Sequence, residues 1–128
     1  MKLWQAHYNM IWLILVVLLV SVLEVIPYHG QIHAVLGLAV VALAFRNKVA
    51  IAKTEAPARL KRIAAAMAAI SIMAAITGIL LAIPPLQFLD TLWRVLHVLT
   101  IVAITTQAGS VATAYDMWEE KEFSPPAT

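Results

Sequence analysis

A chain of 128 residues that is 62% hydrophobic and only 12% charged carries too few charges to cover the surface of a soluble domain, so its expected solvent is lipid. The net charge is +2, and because the basic residues gather in one short loop without interleaved aromatics, nucleic acid is not the expected partner. Cysteine is absent, which excludes a disulfide framework, a thiolate nucleophile and an iron–sulfur cluster, and leaves histidine, methionine and carboxylates as the available ligands.

Met10 to Ile26 is a nearly unbroken apolar run, closed by Pro27, whose missing N–H and ring end a helix. No small-x-small cleavage pattern precedes Pro27, and Val22, Leu23 and Ile26 are too bulky for one, so this first span reads as retained rather than as a removed leader. After the corner Pro27-Tyr28-His29-Gly30, a second apolar segment from Gln31 to Phe45 predicts a span over about 29–46. Residues 46–62 then place Arg46, Lys48, Lys53, Arg59, Lys61 and Arg62 against the single acid Glu55, with Pro57 as the expected break. Short loops this basic stay in the cytoplasm, and an even number of spans puts both termini there too.

The third span, 63–83, is rich in alanine with Ser71, Thr77 and Gly78, which predicts a closely packed central helix ended by Pro84-Pro85. A short external connection carries Asp90 and, at the membrane edge, Trp93 and Arg94, before a fourth span over 95–115. Asp116, Glu119, Glu120, Lys121 and Glu122 mark the return to water, and residues 119–128 read as a cytoplasmic tail. The expected fold is all-α: a four-transmembrane-helix antiparallel bundle spanning residues 1–118 of a multi-pass cell-membrane protein, with both termini cytoplasmic.

Ionisable groups inside a membrane are costly and are therefore functional candidates. Glu24 lies near the external end of the first span, His29 and His33 near the external start of the second, and Arg94 and His97 near the external start of the fourth. Topology brings all five to one depth. His29 and His33 are one helical turn apart, and Gly37 leaves the same face open a turn deeper, with room for a flat macrocycle. His97 follows Arg94 by three residues, so one face offers an imidazole and a guanidinium able to hold a propionate. This set is what heme b held by two axial histidines requires: His33 and His97 as metal ligands, Arg94 for the carboxylates, Gly37 and Gly78 for space. Glu24 is placed to orient an imidazole or to exchange protons with a quinone.

Other groups read as structural. Met67 and Met73 are expected core fillers. Thr105, Thr106, Gln107, Gly109, Ser110 and Thr113 form a stripe expected to make helix–helix contacts with interhelical hydrogen bonds. His7 falls before the first span on the cytoplasmic side, away from the other histidines.

The segment His33-Ala34-Val35-Leu36-Gly37, taken with Arg94-Val95-Leu96-His97, resembles the heme-binding four-helix units of membrane b-type cytochromes, including cytochrome b561, and one half of a heme A synthase. The resemblance covers about residues 28–110 and implies that His33 and His97, on the second and fourth helices, ligate heme. Three residues before His33, where heme A synthases usually carry a glutamate, this chain has Gly30, leaving Glu24 as the nearby carboxylate. The expected function is electron transfer without a further reaction of its own, within a homo-oligomer or among other membrane subunits of a respiratory complex; heme A synthase-like activity is the lesser alternative. Two other classes stay open: a cofactor-free accessory subunit that stabilises a larger complex, and a pigment-binding subunit in which single histidines ligate chlorophyll-type magnesium.

Overall fold

The computed structural model describes residues 2–23, 25–83 and 88–123. They form four helices: α1 (Leu3–Val22), α2 (His29–Ala52), α3 (Ala58–Leu81) and α4 (Asp90–Phe123). Each is long and apolar enough to cross a membrane, the architecture of a multi-pass membrane protein. The expected positions Glu24, Pro84 and Pro85 lie outside the described residues.

The helices extend beyond the apolar runs because backbone hydrogen bonding does not stop where hydropathy does. α1 begins at Leu3 rather than Met10, its first turn secured by the Lys2 N–H donating to Gln5 Oε1 at 3.0 Å. It ends at Val22, short of Ile26, since the Pro27 ring would collide with the carbonyl four residues back, and Ile26 is biased away from helix by the proline after it. Turn bonds from Ile26 N to Leu23 O and from His29 N to Ile26 O take over. Tyr28, at φ 59°, adopts the left-handed conformation that reverses the chain into α2. α2 carries Arg46 and Lys48 within its helix and stops at Ala52, and α3 opens directly after Pro57. α4 starts five residues earlier than its apolar run, with Asp90 in the first turn, where a carboxylate favours the positive end of the helix dipole.

The four helices close into a ring. α1 packs on α2 and α4, and α3 packs on α2 and α4, while the diagonal pairs make no close backbone approach. The α3–α4 interface is the most extensive. Ala64, Ala68 and Ala74 of α3 and Ala108 and Ala112 of α4 are all buried, and such small side chains let backbones come near enough for dispersion contact, the main source of helix association in lipid. Met67 is fully buried as expected, whereas Met73 is 53% exposed on the outer surface, a correction to its placement in the core. The periodicity decides it: Met73 falls between the buried positions Ser71 and Ala74, turned outward.

The core divides into two apolar clusters. The larger joins Met10, Ile14, Val17, Val40, Ala44, Met67, Ala68, Ala74, Ile104 and Ala108. The smaller joins Ile51, Ala56, Leu60, Ala64, Val111 and Tyr115, with Leu3 and Trp4 against it. Among the described residues, His7, Asn47, Ser71 and Thr77 are buried polar side chains.

Candidate functional site: a pair of imidazoles across the bundle

His33 sits in the second turn of α2 and His97 in the second turn of α4. These helices are diagonal in the ring, yet their imidazoles meet across it with centroids 6.2 Å apart and planes at 54°. Each ring is held by a neighbouring helix. His33 Nδ1 lies 3.2 Å from the Val17 carbonyl oxygen of α1, and His97 Nδ1 lies 2.9 Å from the Ala74 carbonyl oxygen of α3. A carbonyl only accepts, so each Nδ1 carries a proton, and a neutral ring protonated there keeps its lone pair on Nε2. That is the tautomer a metal-ligating histidine adopts when a backbone carbonyl orients it.

Thr77 adds a second contact to His97, with Oγ1 3.2 Å from Nδ1, while its hydroxyl is anchored to the Met73 and Ala74 carbonyls at 2.9 and 3.0 Å. Gly78, the next residue, makes room for the ring: a Cβ there would meet His97 Cε1 at 3.2 Å and Nδ1 at 3.6 Å. The space expected of Gly78 is therefore filled by the imidazole itself. At Gly37 a Cβ would meet nothing within 4 Å, so there is open space beside α2 at that position.

The remaining sequence candidates take other positions. His29 opens α2, half-buried. Arg94 is turned away from the imidazoles: its side chain is 71% exposed and its Nε donates to Asp90 Oδ2 at 2.6 Å along the same helix. A carboxylate four residues back outcompetes an inward reach, because the guanidinium remains hydrated there. Glu24 lies outside the described residues. The small and polar stripe of α4 is divided: Thr105, Thr106 and Ser110 donate to the Ile101, Val102 and Thr106 carbonyls within α4, whereas Thr113 pairs across with Tyr8 Oη at 3.3 Å and a Cβ at Gly109 would lie 3.9 Å from Ile11 Cδ1. Back-bonding of this kind satisfies a hydroxyl in lipid without a partner helix.

Sequence reasoning missed the two backbone carbonyls and the part played by Thr77. Carbonyls carry no sequence signal; the signal for Thr77 was its place beside Gly78, at the depth of the histidines. Among the described residues no group of three or more histidines and carboxylates converges, and the His33–His97 pair is the close approach of imidazoles found there. Comparison with protein-family models, with curated proteins and with solved structures finds no match.

Proposed function

We propose that the chain is a small membrane b-type cytochrome, either alone or as the heme-carrying subunit of a larger complex, in which His33 and His97 are the axial ligands of one heme b. The supporting observation is the imidazole pair. Two metal–nitrogen bonds of about 2 Å plus the distance from each nitrogen to its ring centre add to about 6 Å, which agrees with the 6.2 Å separation of the rings. Both rings also carry their proton on Nδ1, leaving Nε2 for iron. The donor set fits this group, and the open face at Gly37 supplies space beside His33. When bound, heme would supply reversible one-electron chemistry; the chain supplies two imidazoles, each held at Nδ1 by a backbone carbonyl.

In this reading the helices run antiparallel in the cell membrane. Tyr8 meets Thr113 and Lys2 lies 3.8 Å from Glu119 at one end, and His33 meets the Val17 carbonyl toward the other. The basic residues 46–62 support a cytoplasmic location for the first end, with both termini, and on that reading the heme lies in the outer half of the membrane. Purified protein, supplemented with heme, is expected to give a low-spin reduced-minus-oxidised spectrum that is lost in His33→Ala and in His97→Ala. A colourless protein after supplementation overturns the proposal.

One observation favours a second reading. The hydrogen bonds from His33 to α1 and from His97 to α3 already tie neighbouring helices together. In a cofactor-free accessory subunit the same histidines are structural staples, and co-purification with a larger complex that survives both substitutions selects that role.

A further inference from the structure

The seam between the two apolar clusters is polar. On α1 the buried stripe runs from Leu3 and Trp4, in the smaller cluster, to Met10 in the larger, and His7 lies between them at 0% exposure. On α2 it runs from Ile51 in the smaller cluster to Ala44 in the larger, and Asn47 lies between them at 1%. α1 and α2 pack directly, so His7 and Asn47 share one layer of the bundle. This layer is about 21 Å from His33 along α2, at 1.5 Å per residue, and is separate from the imidazole pair.

Both side chains have a nitrogen without a partner. His7 Nδ1 lies 2.8 Å from the Leu3 carbonyl oxygen, which accepts its proton, so Nε2 is a bare acceptor, buried and unpartnered. Asn47 Nδ2 is a donor, also buried and unpartnered. An acceptor and a donor that would satisfy each other thus make no hydrogen bond with each other. Leaving both unsatisfied in an apolar core is strongly unfavourable, and native structures relieve such pairs with a bridging molecule. A cation does not suit these groups, because the amide presents hydrogen to it. A neutral hydroxylic guest suits both sides.

We propose that His7 and Asn47 bind one water molecule within the bundle, which donates to His7 Nε2 and accepts from Asn47 Nδ2. Trp4, three residues before His7 and so on the same side of α1, has a buried, unpartnered Nε1; its N–H supplies the third hydrogen bond usual for an internal water. The hydrated layer places an ionisable imidazole and an exchangeable proton inside the cytoplasmic half of the bundle. It is independent of whether His33 and His97 hold heme.

The test is NMR of the full-length chain in nanodiscs, labelled with ¹⁵N at histidine and asparagine. The expected result is an unprotonated, hydrogen-bonded His7 Nε2, with magnetisation transfer from both the His7 ring protons and the Asn47 side-chain amide to one water resonance. Asn47→Leu is expected to abolish the transfer at His7. A scalar coupling between Asn47 Nδ2 and His7 Nε2, reporting a direct bond, overturns the proposal, as does the absence of water transfer in folded wild-type protein. Both of these outcomes are read on the unsubstituted chain, so they decide the matter even if Asn47→Leu does not fold.

Discussion

The His97 ring occupies the space that a side chain at Gly78 would fill, with a Cβ there only 3.2 Å from Cε1. Gly78→Ala therefore sets two effects against each other: alanine favours the helix by about 1 kcal/mol, and the crowded ring must shift by a few tenths of an ångström. The expected outcome is little net change in melting temperature but a displaced His97 ring ¹⁵N resonance. Gly37→Ala, with nothing within 4 Å, is expected to stabilise the heme-free chain by up to about 1 kcal/mol. Thermal melts in detergent, run side by side, check the contrast.

Thr77 touches His97 Nδ1 while anchored to two carbonyls of its own helix. Thr77→Val keeps the shape and removes the hydroxyl, and is expected to destabilise the bundle by about 1 kcal/mol. Thr77→Ser is expected to restore most of the loss. Unfolding midpoints of the two variants measure it, and equal midpoints would show that the hydroxyl does not support the ring.

Met67 and Met73 look alike in sequence and differ in burial, 0% against 53%. Met67→Ala opens a cavity among the four helices and is expected to cost about 2 kcal/mol or more, whereas Met73→Ala, facing lipid, is expected to stay within about 0.5 kcal/mol of wild type. Denaturant titration distinguishes them.

Orientation is measurable because the chain has no cysteine of its own. Val25, 87% exposed in the turn between α1 and α2, and the exposed Lys53, at the end of α2, provide labelling sites at opposite ends. In intact cells a membrane-impermeant maleimide is expected to label Val25→Cys at once and Lys53→Cys only after permeabilisation. The reverse pattern would invert the topology and move the imidazole pair to the cytoplasmic half.

Asp90 and Arg94 form an exposed pair one turn apart. Exposed pairs contribute little, so Asp90→Asn is expected to leave the melting temperature unchanged.

The four helices were legible in the sequence because lipid imposes so strong a rule: apolar runs closed by Pro27 and by the basic segment around Pro57 leave few alternatives. Their ends were less legible. α1 starts at Leu3 because Trp4, His7 and Met10 belong to one buried stripe, and hydropathy, which averages over all faces of a helix, does not register a stripe. For the same reason hydropathy leaves His7 before the span although it is wholly enclosed. His33 and His97 were readable as a matched pair, since depth follows from topology alone. The direction of Arg94 was not, because spacing along a helix does not say whether a long side chain turns inward or meets a nearer carboxylate such as Asp90.

His33 is tied to α1 and His97 to α3, and each is rooted in its own helix, so the two rings together hang from all four. A body gripped by both imidazoles would be suspended from every wall of the bundle at once. Displacing either ring would disturb two helices at once, its own and the one whose carbonyl it meets.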